Sequence, residues 1–212
     1  MFTVIVFSAI LLGLVWKLKP TPAKTNNASA LITHIMFIAG AFAALFIAGF
    51  LEGVFFNASS VQRLLIKSPQ SFSNAAKAIF VSLTEELTKM CVFTFCVRIV
   101  ASNLNQKKSL HTDVINTAAF VFALFFATFE NIAYALQYPE CPLSRIATAT
   151  LIHIGVGLWY PAIFTGKKQY LFFAVMLHAI YNFSTNYRLL FFTFGFICLL
   201  LCMRNVIKYF QK

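Results

Sequence analysis

Residues 75–100 read AAKAIFVSLTEELTKMCVFTFCVRIV. Both ends of this stretch are apolar enough for lipid, yet Glu85, Glu86 and Lys89 stand near its middle. Working outward, apolar blocks of about 18 to 25 residues recur along the chain, the length a helix needs to cross a bilayer. The 212 residues are 60% hydrophobic, include 26 Phe and are only 11% charged. A soluble domain of this size is roughly a quarter charged. The sequence therefore predicts an all-α, polytopic transmembrane helix bundle, a single integral membrane domain over 1–212 in the cell membrane.

Seven spans are expected, near 2–18, 30–56, 75–100, 113–137, 145–164, 169–187 and 189–209. The connectors carry helix breakers, as in Lys19-Pro20-Thr21-Pro22, Ser68-Pro69-Gln70 and Thr165-Gly166-Lys167-Lys168. Lys17 and Lys19 follow the first span, and no basic segment precedes it, so it reads as an uncleaved anchor. Eleven Lys and Arg fall on the side of the connectors after spans one, three, five and seven, against five on the other. The positive-inside rule then puts the N-terminus outside and the C-terminus in the cytoplasm. The net charge of +11 is scattered through short connectors and forms no basic domain. Anionic lipid headgroups of the bilayer are the expected partner, and nucleic acid is not. Cys91, Cys96, Cys198 and Cys202 lie in apolar blocks and read as packing residues.

The chain has six acids, and Glu85, Glu86 and Glu130 sit well inside spans. With Lys89 they would cost roughly 10 kcal/mol if they faced lipid. They must face one another or water. At about 1.5 Å per residue, Glu85 lies about 15 Å below the outer end of its span, Glu130 about 10 Å, His153 about 12 Å and His178 about 14 Å. Four helices thus deliver polar groups to one layer. Neighbours four apart share a helix face, which pairs Glu85 with Lys89, Glu130 with Tyr134, and His178 with Asn182. Lys89 can neutralise one carboxylate of the Glu85–Glu86 pair and leave the other poised as a water-activating base. A structural ion pair would also explain the glutamates and the lysine, and interhelical hydrogen bonding would explain Tyr134 and Asn182. Glu52 reads as a polar residue near the outer end of its span.

These residues carry a family pattern. The segments Glu85-Glu86-Leu87-Thr88-Lys89, Phe129-Glu130-Asn131-Ile132-Ala133-Tyr134, the His153 helix and His178-Ala179-Ile180-Tyr181-Asn182-Phe183 follow the order of the PrsW family of intramembrane proteases. That family looks related to the CAAX prenyl endopeptidases and the bacteriocin-immunity (Abi) proteins. The resemblance spans roughly 75–187, the expected catalytic core. It implies hydrolysis of a peptide bond in a membrane-anchored protein or peptide. It implies Glu85, Glu86, Glu130, His178 and Asn182 as catalytic residues, with Lys89, Asn131 and Tyr134 in support. PrsW-like proteins are described as metalloproteases, which implies zinc or another divalent metal on His153, His178 and Glu130, with Glu85 or Glu86 as base. The CAAX-type pattern implies a metal-free route, in which Glu85 activates water and His178 with Asn182 stabilises the oxyanion. This chain departs from that pattern: Lys89 stands where an arginine is common one position later, and Glu130 where a histidine is common. Acid and histidine chains also build proton- or cation-coupled transporters, the competing reading. The inverted repeat common in transporters is not found.

Overall fold

The computed structural model describes residues 27–103, 112–138, 140, 143–185 and 195–210. Among them every regular element is a helix. In chain order these are α1 (Asn27–Asn57), α2 (Ser59–Lys67), α3 (Gln70–Asn103), α4 (Thr112–Gln137), α5 (Leu143–Gly157), α6 (Tyr160–Phe164), α7 (Gln169–Ser184) and α8 (Phe196–Phe210). The stretches Thr33–Asn57, Thr112–Gln137 and Ser144–Phe164 are long and apolar enough to cross a membrane. The expected first span, 2–18, and residues 189–194 of the seventh lie outside the described residues.

One helix was not expected. Residues 57–74 read as a connector, but Ser59–Lys67 is helical there with no buried residue. Val61, Leu64 and Leu65 share one face of it, a spacing too short to stand out beside the long apolar blocks. Pro69 restricts Ser68 to extended backbone, and the Ser68 hydroxyl caps the Leu64 carbonyl at 2.8 Å.

The long helices pack α1 against α3 and α4, α3 against α7, α4 against α5, and α5 against α8. Small residues let the backbones approach: Ala41, Ala44 and Ala48 on α1, and Ala118, Ala119, Ala123 and Ala127 on α4, are all buried. Between them Phe37, Phe93, Phe122 and Tyr160 form an aromatic cluster, with Phe93 centroids 5.5 Å from Phe37, 5.8 Å from Phe122 and 5.6 Å from Tyr160. Large apolar side chains also face outward, among them Phe46, Phe50, Phe95 and Phe172, as a lipid-facing surface requires.

A break divides the fifth expected span. Pro161 has no N–H to give the Gly157 carbonyl, and Trp159 instead donates to Val156 at 3.0 Å. The helix restarts at Tyr160, which is buried. Gly166, at φ 100, then turns the chain into α7 as the expected connector required.

Two glycines set close crossings of α5. A Cβ on Gly155 would collide with Cys202 of α8, whose Cα would lie 2.6 Å away, and one on Gly157 would collide with Ala123 of α4. Gly49 on α1 has open space around it. We expect Gly155→Val to lower stability by about 1–3 kcal/mol, because backbone must move. Gly49→Val should stay near the parent. Unfolding in mixed detergent and SDS micelles, followed by circular dichroism, measures both.

Candidate functional site

Helix α3 turns Glu85, Glu86 and Lys89 toward the bundle interior, where all three are buried. His153 comes from α5, His178 from α7 and Glu130 from α4, so the expected layer forms. The His153 and His178 rings meet edge to face, with centroids 4.9 Å apart.

Lys89 is the centre. Its ammonium donates to Glu86 Oε1 at 2.7 Å and to His153 Nδ1 at 3.0 Å, and lies 3.1 Å from Glu85 Oε2. The Phe126 ring flanks it at 4.1 Å from the centroid. An ammonium has only donors, so His153 Nδ1 must carry the lone pair and Nε2 the proton. That Nε2–H donates to Glu130 Oε2 at 2.5 Å.

The two adjacent glutamates have different surroundings. Glu86 accepts from Lys89 and from His178 Nδ1 (2.9 Å) at Oε1, and from the Tyr160 hydroxyl (2.8 Å) at Oε2. It is fully buried, and both oxygens are occupied. Glu85 Oε2 has the ion-pair contact with Lys89 but accepts no hydrogen bond. It stands 4.0 Å from His178 Nε2.

Glu85 also borders a cavity of about 1020 Å³ that opens at one end of the bundle. Glu52, Glu130 and Glu140 line it too, together with Lys77, Arg145 and Asn182. Four of the chain's six acids therefore border one polar space, which is how charged groups are kept from lipid. Asn182, one turn beyond His178, donates to the Ser82 hydroxyl at 3.1 Å.

The remaining expected residues act one step out. Asn131 is buried and donates to Thr150 Oγ1 at 3.0 Å, bracing α4 against α5. Its Oδ1 accepts from Arg145 at 3.4 Å. Tyr134 lies under the Arg145 guanidinium, 3.5 Å from ring centroid to Cζ. Arg145 lies 3.6 Å from Glu130 Oε1. Glu130, expected as a metal ligand with the two histidines, is placed elsewhere. It holds the outer nitrogen of His153, and the two nitrogens of an imidazole ring point apart. The residues whose donor atoms come within 4.8 Å of one another are Glu85, Glu86, His153 and His178. By donor type and spread that group could hold a metal ion, since imidazole and carboxylate suit zinc and similar divalent cations.

Three contributors escaped the sequence reading. Arg145 counted there only as a connector charge, Glu52 only as a helix-end acid, and Tyr160 not at all. Tyr160 carried a signal: a tyrosine in an apolar block, next to a proline break, needs a partner for its hydroxyl.

Comparison with known proteins gives no match to a family model, a curated protein or a solved structure.

Tyr160 is the donor to Glu86 Oε2. Tyr160→Phe should cost about 1.5–3 kcal/mol of stability, the range for a hydrogen bond to a charged group. The same micelle unfolding assay reads this. A variant as stable as the parent would mean that Glu86 does not depend on the hydroxyl.

Proposed function

We propose that the chain is an intramembrane endopeptidase. It hydrolyses a peptide bond of a membrane-anchored protein or peptide near the outer face of a seven-span bundle, with its N-terminus outside. The observation that carries this reading is the gap between Glu85 Oε2 and His178 Nε2. It is 4.0 Å wide, beside a polar cavity, and bordered by a carboxylate oxygen that accepts no hydrogen bond. Glu85 Oε2 is itself buried, so a water reaches it only as the side chain shifts toward the cavity, and it then bridges to His178 Nε2 from off the line between the two atoms. The resemblance to the PrsW family supports the same reading.

The steps follow from the residues. Glu85 takes a proton from the water as its oxygen attacks the peptide carbonyl carbon. Glu86 and Lys89 stay as they are: both oxygens of Glu86 are already occupied, and the Lys89 ammonium remains 3.1 Å from Glu85 Oε2. The charge that develops on the carbonyl oxygen is met from α7 by the Asn182 amide, while His178, whose Nδ1–H is held by Glu86, offers Nε2 as a second acceptor for the water. Glu85 then passes its proton to the leaving amine nitrogen as the C–N bond breaks. His153, held by Glu130 and Lys89, keeps the ammonium in place. A divalent metal held by Glu85, Glu86, His153 and His178 would supply Lewis-acid polarisation of the carbonyl and the water.

Purified protein in proteoliposomes should cleave a suitable single-span substrate. Glu85→Gln should lower the rate by about 10²–10⁴-fold, the usual contribution of a positioned base. Mass spectrometry of the fragments gives rate and position. Unchanged cleavage in both Glu85→Ala and Glu86→Ala would sink the assignment. Ion flux that is lost in Glu130→Gln, without any cleavage, would assign the cavity to a coupled transporter instead.

A further inference from the structure

Glu85, Glu86, His153 and His178 have the ligand types of a divalent-metal site, and Lys89 stands among them. We infer that the Lys89 ammonium is the resident cation of this group. It is held where a divalent ion would otherwise bind, so the chain carries a latent metal site that opens only when this lysine is removed.

The competition is for the same atoms. The ammonium lies 2.7 Å from Glu86 Oε1, 3.1 Å from Glu85 Oε2 and 3.0 Å from His153 Nδ1. Two of its N–H donors go to Glu86 Oε1 and His153 Nδ1, and Glu85 Oε2 is held by charge alone. A zinc or cobalt ion would need those lone pairs at about 2.0–2.2 Å. The fourth residue, His178, turns Nδ1 to Glu86 at 2.9 Å. The ammonium cannot yield to an arriving ion by swinging into water. Lys89 is 1% exposed, and the Phe126 ring stands 4.1 Å from Nζ.

Charge balance points the same way. Lys89 with the two carboxylates leaves one net negative charge, while Glu130 has Arg145 as its neighbour. A dication added to that set would make a buried pocket positive, next to an ammonium that cannot leave. With alanine at position 89 the two carboxylates lose their counter-ion, and a dication would neutralise them. Alanine also vacates the space of the lysine stem.

For catalysis the inference rests on the hydrolase reading: Glu85 would then activate water beside an ammonium. Metal binding, however, is read without any substrate, so the two ideas fail separately. The wild-type chain and Lys89→Ala are each purified in detergent, incubated with excess Co²⁺, desalted and analysed for metal content and visible absorption. The wild type should retain no stoichiometric cobalt. Lys89→Ala should retain one ion per chain with the absorption bands of a low-coordinate cobalt site, and should lose it when His153→Ala or His178→Ala is added. Stoichiometric metal in the wild type, lost in His153→Ala, overturns the inference. So does a folded Lys89→Ala that binds none. If Lys89→Ala does not fold, the wild-type measurement decides alone: bound metal that needs His153 overturns the inference, and its absence after loading upholds it.

Discussion

The ammonium of Lys89 between two carboxylates is the interaction on which the rest of the bundle depends. An ion pair taken out of water is tolerated only when its remaining lone pairs and protons find partners. Here α3 supplies all three charges, and it cannot satisfy them alone. His153 of α5 takes one ammonium proton, His178 of α7 and Tyr160 of α6 donate to Glu86, and Glu130 of α4 holds the far side of His153. Five helices are thus tied to one register. A slide of one residue along any of them would leave a charged or polar atom buried without a partner.

The break at Leu158–Trp159 belongs to the same constraint. Just past the break, at the first residue of the restarted helix, the Tyr160 hydroxyl lies 2.8 Å from Glu86 Oε2. The result is an asymmetry between adjacent glutamates: one is saturated, and the other lines the cavity. Sequence spacing could say only that Lys89 lies between them in angle. The third donor, from a different helix, decides which carboxylate is left over.

Much of this was legible in the sequence because lipid makes intramembrane charges costly. Glu85, Glu86, Lys89, Glu130, His153 and His178 stand out against apolar blocks, and helix rise alone predicts their common depth. The structure brings these six together. What was not legible depends on direction around each helix. Arg145 looked like a connector charge, yet it stacks on Tyr134 and bonds Asn131 within the bundle. Glu52 looked like a helix end, yet it borders the cavity. Glu130 and the two histidines looked like one ligand set, but spacing cannot tell which nitrogen of His153 faces which carboxylate. The helix Ser59–Lys67 was hidden because nine residues give too few turns for periodicity to show.

The layer beneath the site bears on what the site can do. On the side away from the cavity, Phe93, Phe122 and Tyr160 close the bundle with ring centroids 5.6–6.3 Å apart. Phe126 covers Lys89 from the same side, one turn before Glu130. Among the described residues the hydrogen-bonded network enters this layer only at the Tyr160 hydroxyl, and its main run is sideways, from Arg145 through Glu130 and His153 to Lys89 and Glu86. A transported ion or proton needs a path along the membrane normal, and an aromatic floor opposes one. A hydrolase needs the reverse: water and substrate admitted from one end, and a dry, low-dielectric base in which fixed charges act strongly on the reacting atoms. A one-sided cavity above a closed aromatic layer meets that requirement, and this is the physical reason to prefer hydrolysis over transport for this arrangement of glutamates and histidines.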